Sequence, residues 1–184
     1  PYFLKSENNE LGKSEFHNDN GPITVANKKI NLKLLDEFQN AAEEFGIPKT
    51  NDFNTGDNTG VGFFQFTTSF NKVGLKLRCS AAKGYLNPIK KRANLKIVVN
   101  AHVKKINFDG KKATGVSYYI GDKLITENVS KEVILSAGSI GSPHILQVSG
   151  IGDTNKIKDL GIDIIHESKG VGKNLQDHLM FRPV

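Results

Sequence analysis

The stretch that most constrains the fold of this chain is residues 132–152, EVILSAGSIGSPHILQVSGIG. It opens with an apolar run at residues 133–135, which is too short for a globular helix and has the composition of a strand buried on both faces. Small residues follow at once, and they let a backbone turn sharply and approach a ligand closely. Ser142 and Pro143 then have the character of an N-cap and a first helical residue, so a short helix is predicted to run from there to about Gly150.

A strand, a glycine turn and a helix N-terminus in succession form an arrangement that holds anionic groups such as a pyrophosphate. Free amide groups and the positive end of the helix dipole converge at that point. The same spacing is equally compatible with a tight turn that binds nothing. The residues alone leave both interpretations open.

A series of strands is predicted ahead of this stretch. Residues 95–104 carry apolar side chains at alternate positions, which is the period of a half-buried strand. Asp109 and Gly110 form a strong hairpin signal. A second strand at residues 116–120, a turn at Gly121 and a third strand at residues 124–129 complete a predicted three-stranded antiparallel meander.

The first third of the chain alternates between polar loops and short regular elements. A strand is predicted at residues 23–26, and helical spacing of apolar residues predicts an amphipathic helix at residues 31–45, capped by Asn31 and packed on a core. A loop is predicted at residues 51–62. We interpret His17, which lies in the polar loop before the first strand, as a structural residue rather than a substrate contact.

Residues 63–70 are rich in phenylalanine and are predicted to form an alternating strand with Phe64 and Phe66 on one face. By itself such a strand is more often core than ligand pocket. Downstream, Arg78 begins a stretch that leads into a short helix ending before Pro88. Its guanidinium is suited to a phosphate contact. A surface position without any ligand would explain an arginine here equally well.

The end of the chain is predicted to contain a helix at residues 154–160, a strand at residues 162–165 and a loop at residues 170–178. Asp177 and His178 lie side by side in that loop. Adjacent residues of an extended chain point to opposite faces, and no third residue has the spacing of a metal ligand. We therefore predict a structural role for this pair and no metal site.

Composition narrows the classes of function. The 184 residues carry a formal charge of +6, from 22 Lys and only 3 Arg dispersed along the chain, and no aromatic stacking pattern accompanies them. This argues against nucleic-acid binding. The single Cys79 excludes an internal disulfide, and no apolar run is long enough to span a membrane. Asn128 begins an Asn-Val-Ser glycosylation sequon that is consistent with secretion, but the compartment stays unassigned.

Two segments carry a family resemblance. Residues 138–152 resemble the second signature of the glucose-methanol-choline (GMC) oxidoreductases, flavoenzymes that oxidise alcohols, and residues 170–178 resemble the GxNLQDH-type segment of that family. The likeness also covers residues 1–7, Gly21-Pro22, Asn54, residues 60–62, Arg78, residues 80–82, Tyr85-Leu86 and residues 92–95. Its details are closest to the insect glucose dehydrogenase branch. Because the family's enzymes are much longer, we expect this chain to be an internal fragment.

The resemblance implies a fold. It predicts a mixed α/β (α+β) chain that forms part of a glutathione-reductase-like FAD-binding fold with the three-stranded meander, together with part of the substrate-binding domain. On this basis residues 1–75 are expected to belong to the substrate-binding domain and residues 76–184 to the FAD-binding domain.

The resemblance also implies site residues. It places Val103 at the adenine of FAD and Ala137 with Gly138 beside the flavin nucleotide. It makes Phe64 and Gln65 candidates to face the substrate. It implies no catalytic residue within this chain, since the family's catalytic His pair, or His and Asn, is expected beyond Val184. The G-x-G-x-x-G fingerprint, which does not occur in this sequence, is expected before Pro1.

The implied activity of the whole protein is oxidation of a CH–OH group in an alcohol or sugar, as in a glucose dehydrogenase. Hydride would pass to flavin N5, and a quinone-type acceptor or oxygen would reoxidise the flavin. The fragment by itself is expected to be inactive. Two alternatives stay open, a catalytically silent paralogue that still binds flavin and a secreted interaction module.

Overall fold

The computed structural model describes residues 2–27, 32–70, 73 and 75–181, and the chain forms two compact units, Pro1–Ile97 and Val98–Val184. These units reflect compactness alone. The predicted assignment of residues 1–75 to a substrate-binding domain and of residues 76–184 to an FAD-binding domain concerns roles, and it stays a prediction.

The first unit is built from short elements joined by long loops. Strands β1 and β2 pair in parallel, strands β3 and β4 pair antiparallel, and a bridge between Ala26 and Phe66 connects the two pairs. The strand predicted at residues 23–26 is confirmed, and the predicted helix before Pro88 is present as a π-helical turn. The elements in chain order are α1 (Tyr2–Ser6), β1 (Glu7–Asn9), β2 (Ile23–Val25), α2 (Lys33–Glu44), β3 (Thr68–Phe70), β4 (Lys76–Arg78) and the π-helical turn (Ala82–Leu86).

Helix α2 confirms the predicted helix, but the prediction that it packs on a core is wrong. Leu34 is 79% exposed and Phe38 is 62% exposed, so the apolar face lies open to solvent. Each strand of this unit has three residues, which is too short to offer a sheet face to a helix of 12. Asn31, the predicted cap, lies outside the described residues.

The predicted alternating strand at residues 63–70 is largely wrong, because only its end, β3, is a strand. Phe64 is 70% exposed, and its ring lies 5.1 Å from the ring of Phe53, measured between centroids. Phe66 is 37% exposed, and its backbone forms an isolated β-bridge with Ala26. Local ring packing and a single bridge therefore replace the expected strand.

The predicted three-stranded meander in the second unit is confirmed. The sheet has the order β5-β6-β7, with both pairs antiparallel. The chain turns at Gly110 and Gly121, where the sequence places the hairpins. The strands are β5 (His102–Asp109), β6 (Lys112–Ile120) and β7 (Lys123–Asn128).

The predicted start of the first meander strand at residue 95 is wrong. Strand β5 begins at His102, which pairs with Tyr119 one residue from the end of β6. Since β6 then turns at Gly121, it has no residues left to pair with residues 95–101. Asn100 also has a φ of 55°, which takes the backbone out of the extended conformation before β5 begins.

The predicted buried strand at residues 133–135 is also wrong. None of the described strands pairs with this run, and Ile134 is 79% exposed. A parallel strand exists only where a neighbouring strand supplies its backbone hydrogen bonds. The apolar run is therefore unpaired among the described strands, and it precedes helix α3 (Gly138–Val148).

Helix α3 begins five residues earlier than predicted, so Ser142 and Pro143 lie inside it rather than at its start. The hydroxyl of Ser142 accepts a hydrogen bond from the backbone N–H of Ala137 at 3.0 Å, which ties the turn to the helix. The predicted end near Gly150 is confirmed. Gly150 has a φ of +87°, and a Cβ there would lie 2.3 Å from the carbonyl oxygen of Asp163.

The remaining elements pack after Gly150. Strand β8 (Ile151–Gly152) pairs in parallel with β9 (His166–Glu167), and α4 (Thr154–Asp159) lies between them in the chain. The predicted helix is confirmed and the strand predicted at residues 162–165 is displaced, because β8 offers only two residues for pairing. Ile157 of α4 is 1% exposed and is the centre of this small core.

Helix α3 packs against β5 through one buried hydroxyl. Ser149 Oγ accepts a hydrogen bond from the N–H of Ile106 at 2.9 Å and donates to the carbonyl of Ile145 at 2.5 Å. Strand β5 is an edge of the meander, so the N–H of Ile106 has no strand partner on that side. The serine thus fixes the helix to the sheet. Among the described residues no helix is long and apolar enough to cross a membrane.

Candidate functional site

The first candidate site is the turn that begins helix α3. Ala137 and Gly138 are both exposed, and Gly138 has a φ of +81° with no atom within 4 Å of where a Cβ would lie. A glycine adopts this left-handed conformation without strain, and its open side leaves the backbone accessible. The first amides of a helix have no partner within the helix and carry partial positive charge. The turn therefore suits an anionic ligand.

A groove of about 540 Å³ runs beside this turn. One wall is helix α3, and the other is the loop that the sequence relates to the GxNLQDH-type segment. The side-chain amide of Gln147 donates to the carbonyl of Val171 at 3.3 Å, which joins the two walls. The lining residues are Ser139, Ile140, Pro143, His144, Gln147, Gly172, Lys173, Asn174, Leu175 and Gln176.

An ion pair anchors the start of this loop. Lys173 Nζ lies 3.2 Å from Asp153 Oδ2, and Asp153 also caps helix α4 by accepting from the N–H of Asn155. The hydrogen bond from Lys173, together with its charge and the capping amides, lowers the pKa of the Asp153 carboxyl and outweighs the opposing effect of burial. The loop is thereby connected to α4 at one end and to α3 at Gln147.

Val103 lies in the same unit as this groove. It is half-buried in β5, opposite Tyr118 of β6, and β5 packs against α3. The structure thus places the three predicted cofactor residues on two elements that are in contact. The individual roles of Val103, Ala137 and Gly138 toward a flavin nucleotide stay predictions.

The second candidate site lies in the first unit. A cavity of about 600 Å³ is lined by Gln65 together with apolar and polar side chains, and a neighbouring cavity of about 390 Å³ is lined by both Phe64 and Gln65. The predicted substrate-facing pair therefore lies at cavity walls. Gln65 Oε1 accepts from the side-chain amide of Asn9 at 3.3 Å, while its own amide nitrogen is buried without a partner among the described residues.

His17 lines the larger cavity and is 5% exposed. Its Nδ1 lies 3.0 Å from Glu7 Oε1, and its Nε2 lies 2.6 Å from Asp52 Oδ2. Burial lowers the pKa of the imidazole, but the hydrogen bonds to Asp52 and Glu7 and the charges of those two carboxylates outweigh burial, so the pKa is raised above 6.5. The predicted structural role of His17 fits this enclosure.

The two acidic partners of this histidine could not be predicted from the sequence. Glu7 precedes His17 by ten residues and Asp52 follows it by 35. Neither spacing belongs to a helix or a strand, so the sequence contains no periodic signal for the cluster. Only the fold of the long loops brings the three side chains together.

The other candidates are at the surface. Arg78 donates to the Thr67 hydroxyl at 3.3 Å from an exposed position in β4. Asp177 and His178 are both exposed, and the backbone N–H of His178 donates to Asp177 Oδ1 at 2.8 Å. Within the described part of the chain, no three His, Cys, Asp or Glu side chains are grouped in a way that could hold a metal ion.

Comparison with known proteins gives a consistent result. The sequence profile of the family described as GMC oxidoreductase matches residues 1–180. Oxygen-dependent choline dehydrogenases of Pseudomonas putida and Pectobacterium atrosepticum are 41% and 40% identical to the chain, over 182 and 180 residues. Each match covers 97% of this chain and 32% of the relative, so the chain spans about a third of the length of these relatives.

Solved structures agree with the sequence matches. An FAD-dependent oxidoreductase from Chaetomium thermophilum superposes with a TM-score of 0.87 at 33% identity, covering 96% of this chain and 32% of that one. A fungal aryl-alcohol oxidase superposes with a TM-score of 0.82 at 26% identity, covering 96% and 31%. The choline dehydrogenases named above are bacterial, and none of these relatives is an insect glucose dehydrogenase.

Proposed function

The chain belongs to the GMC oxidoreductases, and from that premise we propose that the whole protein is an FAD-dependent oxidoreductase that oxidises the CH–OH group of a small alcohol. The predictions of the family, of its mixed α/β fold and of FAD as the family's cofactor are confirmed. The observation that carries the proposal is the exposed Ala137–Gly138 turn, which opens a helix of 11 residues beside a groove.

The residues of this turn fit a flavin nucleotide. Gly138 leaves its backbone open, and the first amides of α3 favour an anionic group such as a pyrophosphate. We propose that Ala137, Gly138 and Val103 contact FAD, which when bound supplies the hydride acceptor for the reaction. Gln147 would hold the wall of the groove through its bond to Val171, and that wall would limit access of water to the cofactor.

The substrate and the electron acceptor are narrower parts of the proposal. Relatives named as choline dehydrogenases and an aryl-alcohol oxidase support a small primary alcohol, with oxygen as acceptor. A sugar substrate with a quinone acceptor, as in a glucose dehydrogenase, is the second candidate, and the resemblance in sequence detail favours it. Phe64 and Gln65 are the residues that we propose to face the substrate.

One experiment tests the activity. The full-length protein, purified with FAD, is assayed with choline, an aryl alcohol and glucose, each with oxygen and with a quinone dye. We expect turnover of at least one alcohol, and the preferred pair identifies the substrate class and acceptor. Bound flavin without turnover of any of the three would favour the silent paralogue, and a preparation that binds a protein partner but no flavin would favour the interaction module. The chain of 184 residues by itself is expected to be inactive.

A second experiment tests the cofactor contact. Gly138→Ala places a Cβ on a backbone in the left-handed region, which costs about 1–2 kcal/mol. We expect the backbone of the turn to shift away from this conformation and so to lose its contact with FAD. We expect FAD to bind about tenfold more weakly. Gly161→Ala is the matched control, because Gly161 has a φ of +69° and open space but lies at the end of α4. Equal FAD affinity in the two variants would contradict the assignment.

A further inference from the structure

Two carboxylates and one imidazole meet in the interior of the first unit. Glu7 lies in β1, His17 in the loop that follows it, and Asp52 in the loop after α2. Their side chains are 16%, 6% and 13% exposed. The cluster therefore joins three separate stretches of chain in an environment that water hardly reaches.

The positions of the atoms determine how many protons the cluster needs. Each ring nitrogen of His17 is within hydrogen-bonding distance of a carboxylate oxygen, at 3.0 Å for Glu7 and at 2.6 Å for Asp52. A neutral imidazole has one N–H and one lone pair, so it donates to only one of the two carboxylates, and the lone pair on Nδ1 can accept only from the Asn9 side-chain amide at 3.1 Å. An imidazolium donates to both, and charge-assisted hydrogen bonds of this kind are the stronger ones.

No other cation in the described part of the chain competes for these carboxylates. The remaining polar groups around the ring are amides: Asn9 Nδ2 lies 3.1 Å from His17 Nδ1, donates to Glu7 Oε1 at 2.7 Å and contacts Gln65 Oε1. Glu7 and Asp52 are the only titratable groups that face the ring among the described residues. Within the described ranges, therefore, the two carboxylates share one positive charge, that of His17.

We infer that His17 is an imidazolium at neutral pH and that its two hydrogen bonds, to Glu7 and to Asp52, form a pH-sensitive clasp. This clasp joins β1 to the loop containing Asp52 and so closes one wall of the 600 Å³ cavity. Glu7, His17 and Asn54 all line that cavity, and the backbone N–H of Asn54 donates to Asp52 Oδ1 at 2.9 Å. Loss of the proton removes the hydrogen bond from His17 to one carboxylate and the positive charge between Glu7 and Asp52, so the loop at residues 50–54 separates from β1 and the cavity opens.

The direction of the pH effect follows from the raised pKa of His17. A group whose folded pKa exceeds its unfolded value stabilises the fold fully below the unfolded pKa, and this contribution is lost as the pH rises through the folded pKa. While both carboxylates are ionised, the clasp is therefore closed below the folded pKa of His17, and it opens as the pH rises through that pKa. This inference concerns the first unit alone and does not depend on the proposed oxidoreductase activity.

The test uses the intact protein labelled with ¹⁵N at histidine. The ring nitrogen shifts of His17, assigned by comparison with His17→Gln, are followed against pH, together with amide exchange of residues 50–54 corrected for intrinsic rates. We expect both ring nitrogens to be protonated at pH 7 and the protection of residues 50–54 to fall at least about tenfold above the folded pKa, since a charge-assisted hydrogen bond is lost there.

Variants distinguish the clasp from a merely structural histidine. Asp52→Asn keeps the shape of the side chain but removes its charge, and it should lower the pKa of His17 and bring the opening to lower pH. Asp57→Asn, an exposed position in the same long loop, is the control and should leave the pKa of His17 unchanged. A neutral His17 at pH 7, or loop protection that does not vary with pH, would overturn the inference, and both are measured on the wild type even if a variant fails to fold.

Discussion

Replacing Ser149 by alanine tests how helix α3 is held to the meander. Ser149 is 5% exposed and Ile106 is 6% exposed, so the hydrogen bond between the serine hydroxyl and the Ile106 N–H lies in the interior. Alanine removes the acceptor and adds no atom that replaces it. Because β5 is an edge strand, no neighbouring strand can pair with the released N–H.

The expected cost comes almost entirely from that N–H. A buried donor left without a partner costs about 1–3 kcal/mol. The carbonyl of Ile145 loses the hydrogen bond from the Ser149 hydroxyl but keeps the one from the backbone N–H of residue 149 at 3.1 Å. This carbonyl therefore adds little to the cost of the substitution. We therefore expect Ser149→Ala to lower the free energy of unfolding of the second unit by about 2 kcal/mol.

Two measurements check this value. Urea denaturation followed by circular dichroism gives the change in unfolding free energy, and amide exchange at Ile106 reports the lost bond directly. If the free energy needed to separate the helix from the sheet falls by about 2 kcal/mol, the Ile106 amide should exchange about 30-fold faster.

The matched control is Ser139→Ala, at an exposed position in the same helix. We expect it to change stability by less than about 0.5 kcal/mol. If the Ser149 and Ser139 variants are equally stable, and the exchange of Ile106 is unchanged, the hydroxyl does not hold the helix and the reasoning fails.

Two further substitutions, each with a control variant, probe the small core after α3. Gly150→Ala combines a positive φ with a Cβ 2.3 Å from the Asp163 carbonyl, so it should destabilise by more than about 2 kcal/mol, whereas Gly161→Ala, with a positive φ but open space, should cost only about 1–2 kcal/mol. Equal unfolding midpoints in urea would contradict the steric argument. Ile157→Ala, at a position 1% exposed, should cost about 2–5 kcal/mol. Leu160→Ala, at 70% exposure, should cost less than about 1 kcal/mol, and thermal unfolding that fails to separate these two variants would show that α4 is not anchored by Ile157.

The sequence predicts correctly those parts of the fold that depend on neighbours in the chain. The hairpin at Asp109 and Gly110, the second turn at Gly121 and the end of α3 at Gly150 are all local, since glycine supplies a backbone conformation that other residues reach only with strain. Helix α4 is predicted for the same reason. Its N-cap at Asp153 lies directly before it, and its stabilising bond spans two residues.

The errors occur where the outcome depends on partners distant in sequence. The run at residues 133–135 and the face of α2 that carries Leu34 and Phe38 have the apolar pattern of buried elements, but burial needs a second surface that a pattern cannot supply. The same limit applies to the sites. The turn at Gly138 is visible in the sequence, whereas the contact of His17 with Asp52 depends on the paths of two loops.

The meander described above also determines the order in which the second unit folds. Its two hairpins join strands that follow one another directly, so the contacts of β5, β6 and β7 have low contact order and form fast, within about 1–10 μs for an isolated hairpin. Docking of α3 requires Ser149 to reach Ile106, 43 residues earlier in the chain, and closing so long a loop is slower. We therefore expect the sheet to form first and helix α3 to dock on it, so that slow steps in folding belong to the helix rather than to the strands.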